Sequence, residues 1–241
     1  MSRFFVAPFD GDTAVLTGQE AHHVARVLRM RIGDELTLCD GAGTDYVCRI
    51  TAIDNGEVQA NVLYRAPTAS EPTTSVTLYQ GLPKSEKMDL IVQKCVEIGI
   101  TRIVPVATAR SIVKLNATEG AKKQARWQKI AASAAEQSGR GIVPEVTEPV
   151  SFKQLLSRIS AENTVVFYEG GGESLATLVN EDTRQVSLVV GPEGGFEVDE
   201  IEQLKAEGAC VATLGKRILR CETAPLVALS VVMQLTGNMN L

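Results

Sequence analysis

The stretch Gly215-Lys-Arg-Ile-Leu-Arg-Cys-Glu-Thr-Ala224 concentrates groups that do chemistry: cations at Lys216, Arg217 and Arg220, a carboxylate at Glu222 and a hydroxyl at Thr223. A fixed arginine stabilises negative charge that develops during a reaction, and a neighbouring carboxylate accepts a proton. A second stretch, Gly191-Pro-Glu-Gly-Gly195, is rich in glycine, which lets backbone N–H and C=O groups approach a flat or charged ligand closely. Its Glu193 suits a ribose hydroxyl or a cationic ligand. A third, Glu169-Gly-Gly-Gly-Glu173, repeats the pattern of glycines beside carboxylates. Neither G-x-x-x-x-G-K-[ST] nor G-x-G-x-x-G occurs, so a nucleoside triphosphatase or an ordinary dinucleotide site is disfavoured. Blander roles stay open for each stretch: a tight turn for GPEGG, a helix cap for Glu222 or Thr223, an ion pair between Arg220 and Glu222.

Other chemistry is excluded by what is scarce. The only histidines are His22 and His23, whose side chains diverge by about 100° on a helix, so a histidine-rich metal site is ruled out and a catalytic triad is disfavoured. The five cysteines are scattered and form no C-x-x-C. They read as reduced core thiols rather than as disulfides or zinc ligands, and no metal site is expected. Without a histidine to deprotonate it, Cys221 reads as a small buried residue.

These stretches need elements to position them. From residue 75 onward, apolar strand candidates (76–80, 103–107, 164–168, 187–190, 210–214) alternate with helix candidates (86–98, 121–138, 152–159, 198–207, 224–235). That alternation encodes βαβ units around a parallel sheet covered on both faces. Ligands bind at the carboxyl ends of such strands, so the three glycine-bearing stretches are expected on one rim. Residues 1–72 read differently: short strands (3–7, 35–38, 45–53, 58–63), one helix (19–28), and turns at Asp40-Gly41 and Asn55-Gly56. A small β-barrel domain is expected there, with 73–241 as a second domain and the Pro- and Thr-rich residues 66–74 as a linker.

The chain has 241 residues, 44% of them hydrophobic and 22% charged, enough to bury a large core without staples. No apolar run approaches the roughly 20 residues needed to span a bilayer, and the N-terminus lacks the apolar core of a signal peptide, so a cytoplasmic, non-membrane protein is expected. The net charge of −5 hides an uneven distribution: −3 over residues 1–70, +5 over 71–140 and −7 over 141–241. A basic middle can guide a polyanion even when the sum is negative. Candidate RNA contacts there are Lys84 and Lys87 at the start of one helix, Arg126 on the next, and Gln137 and Arg140 where that helix ends. In the first domain, Arg3, His22, Arg26, Arg29 and Arg31 qualify, with residues 22, 26 and 29 sharing one helical face. The plainer role for these charges is a solvated surface.

The order GLPKSEKMDLIVQKCVEIGI, RWQKIAASAAEQSGR, LVVGPEGGF, LGKRILRCETA resembles the RsmE family of SPOUT-class RNA methyltransferases over essentially the whole chain. The resemblance implies an N-terminal PUA-like β-barrel and a SPOUT parallel sheet with a C-terminal trefoil knot, in a homodimer. It implies methylation of N3 of a uridine in the decoding region of 16S ribosomal RNA of the 30S subunit, with S-adenosyl-L-methionine as donor. The residues implied to hold that cofactor are Glu169, Gly191, Pro192, Glu193, Gly194 and Gly195, then Leu214, Gly215, Ile218, Leu219 and Arg220, with Thr223 and Ala224. Arg220 is expected to stabilise the uracil anion and Glu222, ahead of Glu193, to take the proton. A non-catalytic RNA-binding assembly factor and a ribose 2′-O-methyltransferase are the alternatives.

Overall fold

The computed structural model describes residues 3–6, 9, 11–159 and 163–240. The chain divides into two compact units, Met1–Glu71 with Ala135–Val143 and Pro72–Ala134 with Pro144–Leu241.

In the first unit the elements are β1 (Arg3–Phe5), β2 (Thr13–Leu16), α1 (Gly18–His22), β3 (Glu35–Cys39), β4 (Thr44–Asp54) and β5 (Glu57–Pro67). They form one sheet in the order β1-β3-β4-β5-β2, antiparallel except for β1 beside β3. Ala7, at the end of the expected first strand, lies outside the described residues. Asn55 and Gly56 both have positive φ, +47° and +82°, which is the turn that Asn-Gly favours between twisted strands. Phe4, Leu16, Leu38, Ile50 and Val58 share one core, so both edge strands curl around it. The expected barrel is thus a curled five-stranded sheet without β1–β2 pairing among the described residues.

The expected helix over 19–28 also needs correction. After α1 the chain widens into a π-helical turn at His23–Val27, where Leu28 N–H donates to the His23 carbonyl at 2.9 Å. Arg29 then takes φ +54°, outside any helix. His22, Arg26 and Arg29 are exposed, and Arg29 no longer continues the helical spacing expected for the three.

The second unit contains β6 (Ser75–Gly81), α2 (Lys87–Ile98), β7 (Arg102–Ala107), α3 (Ala117–Ser138), β8 (Glu145–Val146), β9 (Val150–Ser151) and α4 (Phe152–Ile159). It continues through β10 (Thr164–Phe167), β11 (Glu173–Ser174), α5 (Leu175–Leu178), β12 (Gln185–Val190), α6 (Val198–Ala206), β13 (Cys210–Thr213) and α7 (Ala224–Leu235). Its sheet is parallel throughout, in the order β11-β13-β10-β12-β6-β7-β8, with β9 also beside β7. All four residues of β10 are buried, as are five of the six in β12, because helices cover both faces. After β13 the chain returns to pack α7 against α2, β12 and β6.

Of residues 66–74, expected to be a linker, the first two end β5 and the rest of the segment is held by hydrogen bonds. Thr68 Oγ1 donates to Asp45 Oδ1 at 2.6 Å, and Glu71 accepts from the backbone of Gly141 and Ile142 at 2.8 and 3.1 Å. Thr73 N–H donates to Asn238 Oδ1 at 2.7 Å, and Thr74 Oγ1 to the Thr183 carbonyl at 3.0 Å. The threonines here bond to partners remote in sequence, which a loop-like composition does not reveal.

Candidate active site

The loops after β10, β12 and β13 line one cleft of about 550 Å³, joined by Lys87 from α2 and Ala224 from α7. It brings together Glu169, Gly191, Pro192, Glu193, Gly194, Gly195, Leu214, Gly215, Ile218, Leu219 and Arg220. Phe167, Val190 and Phe196 supply apolar wall. Glu222 and Thr223, grouped with these from the sequence, do not line the cleft. Thr223 occupies the N-cap of α7 without a side-chain capping bond.

Two glycines show why the loops take this path. Gly195 has φ +66°, and a Cβ there would lie 3.0 Å from both carboxylate oxygens of Glu169, so the acidic side chain folds over the glycine. At Gly81, where β6 ends, a Cβ would come 2.5 Å from Pro192 Cδ. Gln80, fully buried beside it, donates from Nε2 to the carbonyls of Gly81 and Gly191 at 3.0 and 3.2 Å.

Charge fixes the cleft from two sides. Lys87 Nζ lies 3.0 Å from Glu193 Oε1 and 3.1 Å from Glu222 Oε2, and Lys84 N–H adds a bond to Glu193 Oε1 at 3.1 Å. Burial alone would raise both carboxyls. For Glu193 its own N–H, Lys87 and the Lys84 N–H outweigh burial, and for Glu222 its own N–H, the Cys221 thiol and Lys87 do so. Both are therefore held below the ordinary carboxylate range, as ionised groups with weakened affinity for protons. Burial first, then the bond to Glu222, pushes the Cys221 thiol up to about 12, which leaves it protonated and unsuited to nucleophilic attack. Arg220 is exposed on the cleft wall, and its guanidinium makes no hydrogen bond or ion pair among the described residues.

A fourth loop, after β7, buttresses the glycine loop and was not singled out in the sequence. Arg110 Nη1 donates to the Gly194 carbonyl at 2.9 Å, while its Nε pairs with Glu197 Oε1 at 2.9 Å. The buried Glu200 accepts Ala109 N–H at 2.8 Å and Glu197 N–H at 2.9 Å. Only the second of these bonds has a sequence signal, the Glu-x-x-Glu spacing of a capping arrangement at α6.

Several expected RNA contacts sit elsewhere than imagined. Lys87, at the start of α2 as expected, lines the cleft. Arg3 pairs with Asp45 at 2.5 Å, and Arg140, with only 4% of its side chain exposed, pairs with Glu71 at 2.6 Å. Both pairs lie within the first unit. His22, Arg26, Arg29, Arg31, Lys84, Arg126 and Gln137 are exposed. Among the described residues no group of three or more His, Cys, Asp or Glu side chains could hold a metal ion, and no helix is long and apolar enough to cross a membrane.

Residues 69–233 match the family model of an RNA methyltransferase domain, and residues 16–63 that of an RNA methyltransferase PUA domain. The chain is 38% identical over 231 residues to ribosomal RNA small subunit methyltransferase E of Bacillus subtilis, covering 92% of this chain and 90% of the relative. The chain belongs to the ribosomal RNA small subunit methyltransferase E family. A family member of Mycobacterium bovis is 34% identical over 238 residues, covering 96% of this chain and 90% of the relative. The crystal structure of the Neisseria gonorrhoeae methyltransferase E bound to S-adenosyl methionine superposes with a TM-score of 0.86 at 34% identity, covering 98% of each chain. Membership in the methyltransferase E family agrees with a parallel α/β sheet and a separate small β domain.

Proposed function

We propose that this chain methylates N3 of a uridine in the decoding region of 16S ribosomal RNA, within the 30S subunit, using S-adenosyl-L-methionine. Methylation of small-subunit ribosomal RNA is the activity its family is named for. The observation that carries the reading is the convergence of three strand-end loops on one cleft whose wall bears an uncommitted arginine, Arg220.

The cleft suits the donor. Its volume of about 550 Å³ falls within the range of small-molecule sites, and it combines apolar walls, glycine backbone and the carboxylates of Glu169 and Glu193. Gly191, Gly195, Leu214, Gly215, Ile218 and Leu219 would hold the adenosine and methionine parts through backbone groups. When bound, the donor supplies an electrophilic methyl group on a sulfonium.

The chain's own residues handle the nucleobase. Uridine N3 is a weak acid, protonated at neutral pH, and must lose its proton before or as it attacks. Arg220 holds the negative charge that spreads onto a uracil carbonyl. Glu222, the base expected from the sequence, does not line the cleft and is the partner of Lys87 and Cys221, with a weakened pull on protons. In this reading the proton leaves to solvent, and Glu222 and Lys87 fix the loops. A C-terminal trefoil knot and a homodimer belong to the same reading. In support of the knot, the chain leaves β13 on one side of β12 and β6, then returns to place α7 against both. Acting on ribosomal RNA, the protein would work in the cytoplasm.

The test is transfer of labelled methyl groups to 30S particles and to free 16S RNA, followed by nucleoside analysis. N3-methyluridine is the expected product. A ribose 2′-O-methyl product, or binding without transfer, would replace the proposal with one of its two alternatives.

A further inference from the structure

Away from the cleft, the outer face of α3 carries Lys122, Ala125, Arg126, Lys129 and Ser133 as exposed residues, around the half-buried Ile130. They border a shallow depression of about 480 Å³. At about 1.5 Å rise per residue, the three cations are spaced about 6 and 4.5 Å along the helix axis. No acidic residue interrupts the face between Glu119 and Glu136. Lys122 and Lys129 have no carboxylate partner among the described residues, in a protein with a net charge of −5. Alanine and serine keep the space between the cations shallow and open.

A second relationship connects this face to the cleft. Arg126 pairs with Glu86 at 3.2 Å and with Asp89, and Trp127 Nε1 donates to Asp89 Oδ1 at 3.1 Å. Glu86 is the N-cap of α2 and Asp89 lies in its first turn. Between them in sequence is Lys87, whose ammonium lines the cleft. The basic face is thus tied to the same helix start that supplies the cleft's lysine. Arg126 keeps 56% of its side chain exposed while holding both carboxylates.

We propose that the outer face of α3 is a docking strip for the phosphate backbone of the RNA substrate, guiding a strand past the start of α2 toward the cleft. This rests on the methyltransferase reading above. The occupant follows from charge: Lys122 and Lys129, without carboxylate partners among the described residues, flank Arg126, which stays half exposed while paired with Glu86 and Asp89, and two unpaired ammonium groups on an open rather than apolar surface fit the phosphates of a polyanionic strand. Lysines make point contacts with phosphate without reading sequence, so the strip contributes affinity and register while selection of the target base stays in the cleft.

The experiment uses the full chain carrying Lys122→Gln and Lys129→Gln together, both solvent-facing changes. Affinity for transcribed 16S RNA and for 30S particles is measured across a salt series, with calorimetric titration of S-adenosylmethionine alongside. Removing two phosphate contacts should weaken RNA binding about tenfold or more and reduce the salt slope by about 1.4 to 1.8. Donor affinity and melting temperature should match wild type. Wild-type RNA affinity and slope in the double variant, with methylation intact, would overturn the strip and leave the activity standing. Weakened binding to 30S particles with unchanged binding to free RNA would also overturn it, by assigning the strip to a ribosomal protein. A wild-type chain that binds the donor but neither binds nor methylates RNA would overturn the activity and the strip together.

Discussion

Lys87 and Glu222 meet at 3.1 Å, and the same ammonium lies 3.0 Å from Glu193, so one lysine at the start of α2 clasps the loops after β12 and β13. The two carboxylates raise the lysine's own proton affinity, and it stays charged throughout the physiological range. Replacing it with a neutral side chain of similar length, Lys87→Met, leaves both loops without their shared anchor. Affinity for S-adenosylmethionine should fall about tenfold, the scale of one charge-assisted hydrogen bond. Lys87→Arg should restore most of it, as calorimetry would show; equal affinity in the Met variant would remove the clasp from the account.

Acid should reveal the same arrangement. Glu193 and Glu222 have lowered folded-state pKa values, so their stabilisation is complete above the ordinary value of 4.5 and is lost as pH falls through the folded pKa. Thermal melts taken from about pH 6 down to about pH 3 should therefore decline less steeply for Glu222→Gln than for wild type. Parallel curves would mean that the pairing adds nothing on folding.

Arg220→Ala separates binding from chemistry. Loss of a charge-stabilising donor typically slows turnover about a hundredfold, and the cleft's backbone contacts survive the change. Single-turnover methyl transfer should show the loss while donor affinity moves little. Turnover within a few-fold of wild type would refute the assigned role.

Gly195→Val should abolish donor binding. The backbone there is left-handed at φ +66°, and the new Cβ would meet the Glu169 carboxylate at 3.0 Å. Titration of the folded variant, its fold checked by circular dichroism, is the measurement.

Thiol chemistry should discriminate among the cysteines. Cys210 is exposed, whereas Cys221 is buried beside Glu222 with its pKa pushed up to about 12. Brief alkylation of the native protein near neutral pH, read by peptide mass spectrometry, should label Cys210 and spare Cys221. Preferential labelling of Cys221 would bring back its reading as a nucleophile.

The parts legible in the sequence were those with a local signature. Phe152–Ile159 and Ala224–Leu235 match their predicted helices to the residue, because apolar periodicity and a clean start define both. Strand-end glycines likewise marked the three cleft loops. Two-residue strands such as Glu145–Val146 and Glu173–Ser174 carry no periodicity to detect. Arg110 and Gln80 act through bonds to Gly194 and Gly191, partners remote in sequence that composition cannot reveal. Arg3 and Arg140, expected from the sequence as RNA contacts, pair with Asp45 and Glu71, partners that residue type alone does not reveal. The end of α3 belongs to the first unit for the same reason: Glu71 reaches the backbone of Gly141 and Ile142 across a separation no local pattern records.

The strand order has a consequence for synthesis on the ribosome. β13 is placed beside β10, which is made some forty residues earlier, and the loop after it completes the cleft. A nascent chain that has emerged only as far as α6 holds two of the three loops with nothing to close them. The cleft is therefore completed only by the last part of the chain to be made, when the loop after β13 is in place and α7 packs against α2.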